Sequence, residues 1–150
     1  MRFYSFILLL IAVQTHQTDV VAVHVPDVLV NAAKTWTITI QVDVKDGYHI
    51  QANQVKNKFL IPTTIVINKI KNIKTGKTIF PQSKKFRLEG TDEWMNVYDS
   101  SFQIKIPMRT LNEIEKGSYN LQAELRYQAC DAKTCLFPKT VSFTIHYQIK

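Results

Sequence analysis

Both cysteines of this 150-residue chain lie in one short segment, QACDAKTCLF, at residues 128–137. Cys130 and Cys135 are separated by only four residues. A thiol pair can form a permanent disulfide that stabilises a fold, or a disulfide that opens and closes by attack of a thiolate on a sulfur atom. The rest of the sequence must therefore indicate which of these roles the pair has.

The short loop between the cysteines argues against a mainly structural role. In the chain-entropy model, a bridge closed over so few residues stabilises by roughly 2 kcal/mol, against about 4 kcal/mol or more for a loop of many tens of residues. The bridge of immunoglobulin domains, by contrast, joins strands that are far apart in sequence. A structural hairpin disulfide remains the alternative interpretation.

The N-terminal residues are typical of a secretory signal peptide. A basic residue, Arg2, precedes an apolar run at residues 6–13 and then a polar stretch. The run is well short of the ~20 residues that a transmembrane helix requires. We predict a signal peptide over residues 1–17, with cleavage between residues 14 and 22, and one domain over residues 18–150. The domain is expected in the periplasm or outside the cell, where disulfides persist, with membrane contact only through a partner.

The remaining chain has the periodicity of β-strands. In TWTITIQVDV, residues 35–44, apolar and polar residues alternate, which indicates one face on a core and one in water. Turn signals such as KDG and EKG separate further candidate strands, and only residues 110–116 suggest a helical turn. These strands are predicted at residues 20–25, 63–73, 101–108, 118–128 and 139–149. We therefore predict an all-β fold, an immunoglobulin-like antiparallel β-sandwich.

Strand alternation also predicts where the two sulfurs point. Cys130 continues the polar face of the strand at residues 118–128, so we expect it to point away from the main core, within reach of a partner. Strict alternation on the next strand turns Cys135 inward, unless Pro138 interrupts the count with a bulge. Opposed residues of an antiparallel pair lie close enough for a disulfide, so a hairpin with one cysteine on each arm can open and close its bond.

Several segments, in order along most of the predicted domain, resemble a single family. DGYHIQAN at residues 46–53 is similar to the pattern DGWHIxAN, and IPT at residues 61–63 is similar to xPT. FP at residues 80–81, NVY at residues 96–98 and IP at residues 106–107 match shorter steps. YQAC at residues 127–130 and CLFP at residues 135–138 match YQxC and CxxP, which carry the most weight. Together these segments resemble the N-terminal, periplasmic domain of the thiol:disulfide interchange protein DsbD and its stand-alone relatives.

The resemblance implies an immunoglobulin-like domain whose cysteine pair carries electrons. By this resemblance, Cys135 forms the mixed disulfide with a partner and Cys130 resolves it. The implied partners are a thioredoxin-like electron donor, which is a separate protein here, and periplasmic proteins that bear disulfides. The implied function is an exported thiol–disulfide exchange module, a thiol-disulfide oxidoreductase component of a protein-disulfide reductase pathway.

Other residues are candidates for modulating or covering the sulfurs. His49, within the DGYHIQAN segment, is a candidate for lowering a thiol pKa, and a turn histidine bonded to backbone is the alternative. In the family that the chain resembles, a cap loop with an aromatic residue shields the cysteines. That loop corresponds to residues 86–94, so Phe86, Leu88 and Trp94 are the candidate cap residues.

Charge and composition argue against other classes of site. Two cysteines and scattered histidines do not supply the four ligands of a structural zinc site, and we expect neither a metal nor a cofactor. The net charge is +7, but export and the lack of stacking aromatics beside the lysines argue against nucleic acid. The lysines are better suited to solubility or to steering an acidic protein partner. The alternative function is a non-catalytic, secreted immunoglobulin-like binding module whose hairpin disulfide stiffens a recognition loop.

Overall fold

The computed structural model describes residues 19–30, 35–111 and 114–150, so the predicted signal peptide lies outside the described residues. The described residues form twelve β-strands and no helix. The strands are β1 (Val21–His24), β2 (Val28–Val30), β3 (Thr35–Val44), β4 (His49–Gln51), β5 (Thr64–Ile67), β6 (Ile73–Thr75), β7 (Lys84–Arg87), β8 (Trp94–Tyr98), β9 (Ser101–Thr110), β10 (Gly117–Tyr127), β11 (Ala129–Cys130) and β12 (Lys139–Ile149).

Two of the three sheets form the layers of a β-sandwich. The first has the strand order β1-β3-β9-β6 and the second the order β2-β12-β10-β5. The described pairs are antiparallel except that of β2 with β12, which is parallel. Trp36 of the first sheet stacks on Tyr147 of the second, with ring centroids 5.4 Å apart. The two layers therefore share one core.

That core is built by the four longest strands, in which alternate residues are buried. The alternation in β3 is the one that its sequence predicts. The fully buried side chains of these strands are Ile38, Ile40 and Val42 of β3, Ile104, Ile106 and Met108 of β9, Leu125 and Tyr127 of β10, and Ile145 of β12. Burial of one such side chain contributes about 1.5–3 kcal/mol, so this core is the main source of stability.

The third sheet is smaller and carries the cysteines. Its strand order is β11-β4-β8-β7. It adjoins the second sheet at the end of β10, since a single residue, Gln128, separates β10 from β11. Its strands have two to five residues each, against ten or eleven for the long strands of the sandwich.

The predicted all-β sandwich is confirmed, and two local predictions are wrong. Residues 63–73 do not form one strand, because β5 pairs with β10 in one layer and β6 pairs with β9 in the other. The chain crosses between layers here, at a turn where Asn72 has a φ of 63°. The helical turn suggested at residues 110–116 is absent from its described part, since Thr110 ends β9 and residues 114–116 are irregular.

Candidate redox site

The disulfide sits on the edge of the third sheet. Cys130 pairs with His49 of β4 across an antiparallel ladder. On its other side it forms an antiparallel bridge with Cys135, to which it is bonded through sulfur, and their Cα atoms are 3.9 Å apart. The predicted hairpin, with one cysteine on each arm, is therefore present.

The loop between the cysteines is a tight turn organised by Asp131. One carboxylate oxygen of Asp131 accepts hydrogen bonds from the backbone N–H groups of Lys133 and Thr134, at 2.8 and 2.7 Å. The backbone N–H of Asp131 donates to the carbonyl of Thr134 at 2.9 Å. The bond from Lys133, followed by that from Thr134, lowers the pKa of Asp131 below its ordinary value. The turn thus holds the two cysteines opposite each other.

The exposure of the two cysteines is the reverse of the prediction from strand phase. Cys130 is 0% exposed, whereas Cys135 is partly exposed. The prediction that Cys130 is within reach of a partner is therefore wrong. Alternation does not continue past Tyr127, because the chain leaves the second sheet at Gln128 and enters the third. Cys130 does lie outside the main core. It is nevertheless fully buried, because neighbouring side chains on the same face of the third sheet, such as Gln51, contact its sulfur.

Gln128 ties together the chain segments on either side of the disulfide. Its side-chain oxygen accepts a hydrogen bond from the backbone N–H of Ile61 at 2.8 Å, and its side-chain nitrogen donates to the carbonyl of Leu136 at 3.2 Å. Two exposed aromatics flank these contacts, Phe59 and Phe137, with exposed fractions of 79% and 91%. Phe137, two residues after Cys135, therefore gives the site an exposed apolar rim.

Gln51 of β4 lies directly against the sulfur atoms. Its side-chain nitrogen is 3.3 Å from Sγ of Cys130, 3.4 Å from Sδ of Met95 and 3.9 Å from Sγ of Cys135. The residue is 0% exposed. Neither Gln51 nor Met95 is among the predicted site residues, although Gln51 lies in the segment that resembles the family.

His49 lies beside Cys130, as predicted for a residue near the sulfurs. It is buried, and its ring is 3.6 Å, centroid to centroid, from the ring of Phe86. Burial lowers the pKa of His49 below its ordinary 6.5, and the negative charges of Asp99 and Asp131 oppose this shift only in part. His49 is thus neutral at neutral pH. Its Nε2 has no hydrogen-bond partner among the described residues, and a neutral ring does not lower the pKa of a thiol through charge.

Two of the three candidate cap residues belong to chain segments that lie beside the cysteine hairpin. Phe86 is the ladder partner of Met95, so it shares the sheet face that carries Cys130. Leu88 is half-buried in the following turn, and the next residue, Glu89, donates its backbone N–H to the carbonyl of Ala132 at 2.8 Å. Trp94 lies on the opposite face, is 56% exposed and has Arg87 over its ring. The structure therefore brings Phe86 and Leu88 to the site and leaves Trp94 outside it.

The segments that resemble the family converge on β4. Thr63 of IPT donates its hydroxyl to the backbone carbonyl of Gln51 at 2.5 Å. Tyr98 of NVY donates its hydroxyl to the side-chain oxygen of Asn53 at 2.6 Å. The backbone N–H of Gln51 donates to the carbonyl of Gln128 at 2.9 Å. These hydrogen bonds hold β4 in a fixed position. The polar side chains of β4 that face the sulfur of Cys130 are thereby fixed as well.

The described part of the chain offers neither a metal-binding cluster nor a membrane-spanning helix. Within residues 19–30, 35–111 and 114–150, no three His, Cys, Asp or Glu side chains are grouped so as to hold a metal ion. Over the same ranges there is no helix with the length and apolar character that crossing a bilayer requires.

The fold and the site define a β-sandwich domain with a partly exposed hairpin disulfide on a small third sheet. A family model described as "Thiol:disulfide interchange protein DsbD, N-terminal" matches residues 17–146, and the chain belongs to this family. Family membership confirms the resemblance seen in the sequence and the immunoglobulin-like fold. No curated protein sequence matches the chain.

Solved structures resemble this fold at low sequence identity. The N-terminal periplasmic domain of ScsB from Proteus mirabilis has a TM-score of 0.54 and 14% identity, covering 84% of this chain and 44% of that one. The chain thus spans less than half of the ScsB chain. The reduced DsbD N-terminal domain of Neisseria meningitidis has a TM-score of 0.46 and 14% identity, covering 77% and 83%. At such identity the ScsB likeness shows the fold alone.

Proposed function

We propose that this chain is an exported thiol–disulfide exchange module that cycles between the Cys130–Cys135 disulfide and the corresponding dithiol. The observation that carries the proposal is the difference in exposure between the two cysteines. Cys135 is partly exposed and Cys130 is fully buried directly beside it. An exchange pair needs one sulfur that a partner can reach and a second thiol close by.

The proposed reaction assigns one step to each cysteine. The Cys135 thiolate attacks one sulfur of a partner disulfide, the partner's S–S bond breaks, and its other sulfur leaves as a thiolate. The Cys130 thiolate then attacks Sγ of Cys135, which re-forms the intramolecular disulfide and releases the partner's second thiolate. Two electrons pass from the pair to the partner, whose thiolates take up protons from water.

The proposed partners are proteins that exchange thiols and disulfides with the pair, one kind in each half of the cycle. A thioredoxin-like dithiol protein returns two electrons to the pair by the reverse exchange, and periplasmic disulfide-bearing proteins accept them. The exposed ring of Phe137, two residues after Cys135, offers an apolar contact for such proteins. Phe86 and Leu88 form the cap that limits access by small oxidants.

The proposed location is the periplasm. A signal peptide at residues 1–17, followed by the domain at residues 18–150, is supported by the basic residue and apolar run at the start of the chain. Membership in the DsbD N-terminal family supports the same location, because the similar ScsB domain is described as periplasmic.

The test is the capture of a mixed disulfide by single-cysteine variants. The partner is a thioredoxin-like protein that retains one cysteine, activated as its disulfide with thionitrobenzoate, whose release is followed by absorbance. The Cys130→Ser variant should form the covalent complex through Cys135. The Cys135→Ser variant is the matched control and should react at least about 100-fold more slowly, because its remaining thiol is buried.

Equal rates for the two variants would contradict the assigned roles. The reduction potential of the wild-type pair distinguishes the alternative function. A potential below about −300 mV would indicate a structural bond in a non-catalytic binding module. The exchange module requires a potential well above that value.

A further inference from the structure

Gln51 presents a polar group to the disulfide that the disulfide does not fully satisfy. The side chain is completely buried, its nitrogen faces the sulfur of Cys130 at 3.3 Å, and its oxygen has no hydrogen-bond partner among the described residues. A buried polar atom left without a partner is unfavourable, because it has lost its hydrogen bonds to water and gained none in return. The oxidised site therefore contains an unpaired buried oxygen, and it belongs to the side chain that contacts the sulfur of Cys130.

Reduction changes what the sulfur of Cys130 can offer to this side chain. A disulfide sulfur carries no proton and accepts hydrogen bonds weakly. A thiol is a weak donor, and a thiolate is a charged acceptor whose hydrogen bonds are stronger than those of neutral groups. Rotation of the Gln51 carboxamide about its last bond exchanges its oxygen and nitrogen, so either atom can face the Cys130 sulfur.

We propose that Gln51 favours the reduced state of the pair, because its oxygen accepts a hydrogen bond from the Cys130 thiol and its nitrogen donates one to the Cys130 thiolate. The oxidised state has no donor for that oxygen. Gln51 thereby makes the pair easier to reduce and stabilises the thiolate that performs the second, resolving attack. This inference deepens the proposed function and rests on it only in that the pair cycles between two redox states.

The position of β4 fits such a role. The backbone of Gln51 is held by the carbonyl of Gln128 and by the hydroxyl of Thr63, so replacement of its side chain leaves these contacts in place. Met95, the other side chain in contact with the Gln51 nitrogen, offers only a thioether sulfur, which is a weak acceptor. The cysteine sulfurs are therefore the neighbours whose hydrogen bonding changes with redox state, and Sγ of Cys130, at 3.3 Å against 3.9 Å for Cys135, is the nearer one.

The test is the equilibrium of the folded chain with glutathione. One chain disulfide and two glutathione thiols give the chain dithiol and one glutathione disulfide, so two electrons are transferred and the thiol protons balance. We expect Gln51→Met, which replaces the carboxamide with an apolar group on a side chain of similar length, to lower this equilibrium constant about tenfold. For a two-electron couple a tenfold change corresponds to about −30 mV. The matched control Met95→Leu alters the same contact without touching the carboxamide and should change the constant less than about twofold.

A second measurement separates this role from a merely structural one. In the Cys135→Ser background, the ultraviolet absorbance of the thiolate reports the titration of Cys130 alone. Gln51→Met should raise the pKa of the Cys130 thiol, because the thiolate loses its donor. If Gln51 is only structural, its replacement lowers the unfolding free energy of both redox states equally and leaves the glutathione constant unchanged.

An unchanged constant, or a shift toward the dithiol, would overturn the inference. Because glutathione is the only reactant, the result does not depend on any protein partner. If the wild-type chain fails to exchange with a thioredoxin-like protein while Gln51→Met still shifts the constant, the proposed function fails and the role of Gln51 stands.

Discussion

The sandwich and the third sheet bury different kinds of side chain. The long strands of the sandwich bury aliphatic and aromatic residues in regular alternation. The three polar residues that are buried in the described part of the chain are His49, Gln51 and Thr63. The first two belong to β4, and the third is hydrogen-bonded to it.

This contrast separates stability from chemistry. Burial of apolar side chains in the sandwich stabilises the fold in proportion to the apolar area buried. This contribution does not depend on whether the cysteines are oxidised or reduced. Buried polar groups at the third sheet contribute little net stability, but their free energy depends on what the sulfurs donate or accept. The buried polar groups that face the sulfurs are therefore confined to the small third sheet, apart from the apolar core of the sandwich.

The largest expected loss of stability comes from the sandwich. Leu125 of β10 is fully buried in the core, so Leu125→Ala should lower the unfolding free energy by about 3 kcal/mol, through lost burial and a residual cavity. Urea denaturation measures this loss. The glutathione equilibrium constant of the folded variant should stay within about twofold of wild type. A large shift would show that the core and the redox site are coupled.

Removal of the disulfide should cost less than removal of one core side chain. The Cys130→Ser, Cys135→Ser double variant is expected to lose about 2 kcal/mol of unfolding free energy, because the loop it opens is short. Urea denaturation of the reduced wild-type chain is the control and should give a similar loss. A loss larger than that of Leu125→Ala would make the bond a principal structural support and favour the binding module.

Acidification should destabilise the fold through His49. Since burial holds its pKa in the folded chain below 6.5, the unfolded chain binds a proton first as the pH falls. The contribution of His49 is thus fully present above about pH 6.5 and is lost as the pH falls below it. Urea midpoints at about pH 7 and pH 5 should show a smaller drop for His49→Phe than for wild type. Equal drops would contradict this assignment.

The smallest stability effect is expected at the exposed rim. Phe137→Ser should change the unfolding free energy by less than about 0.5 kcal/mol, because the ring is almost fully exposed. If partners dock beside Cys135, kcat/KM for a thioredoxin-like protein should fall by about tenfold. The control is Leu29→Ser, an exposed apolar residue paired with Gln148 at the far end of β12. An equal effect of both variants would argue against a specific rim.

Sequence patterns predicted the sandwich because its strands are long and have one face in water. Alternation of apolar and polar residues did not predict strands that are covered on both faces. Residues of β4 are buried at three consecutive positions, since Ile50 faces the main core while His49 and Gln51 face the sulfurs. Such a strand shows no alternation, and it was not predicted.

The candidate site was only partly predictable for a related reason. Cys130 and Cys135 are close in sequence, so their pairing was accessible from spacing and family resemblance. The contact of Gln51 with Cys130 joins residues 79 positions apart, and its contact with Met95 joins residues 44 apart. These contacts depend on which strands pair in the third sheet. The same pairing reversed the predicted exposure of the two cysteines.

The locality of the disulfide has a consequence for how the chain folds. The bond joins residues five apart, whereas the sheets join strands that are distant in sequence, such as β4 with β11. Formation of this bond fixes no long-range pairing, and with two cysteines there is no wrong partner to choose. The disulfide can therefore form either before or after the sheets assemble. A chain with two cysteines, five residues apart, does not need a disulfide isomerase to select the native pair.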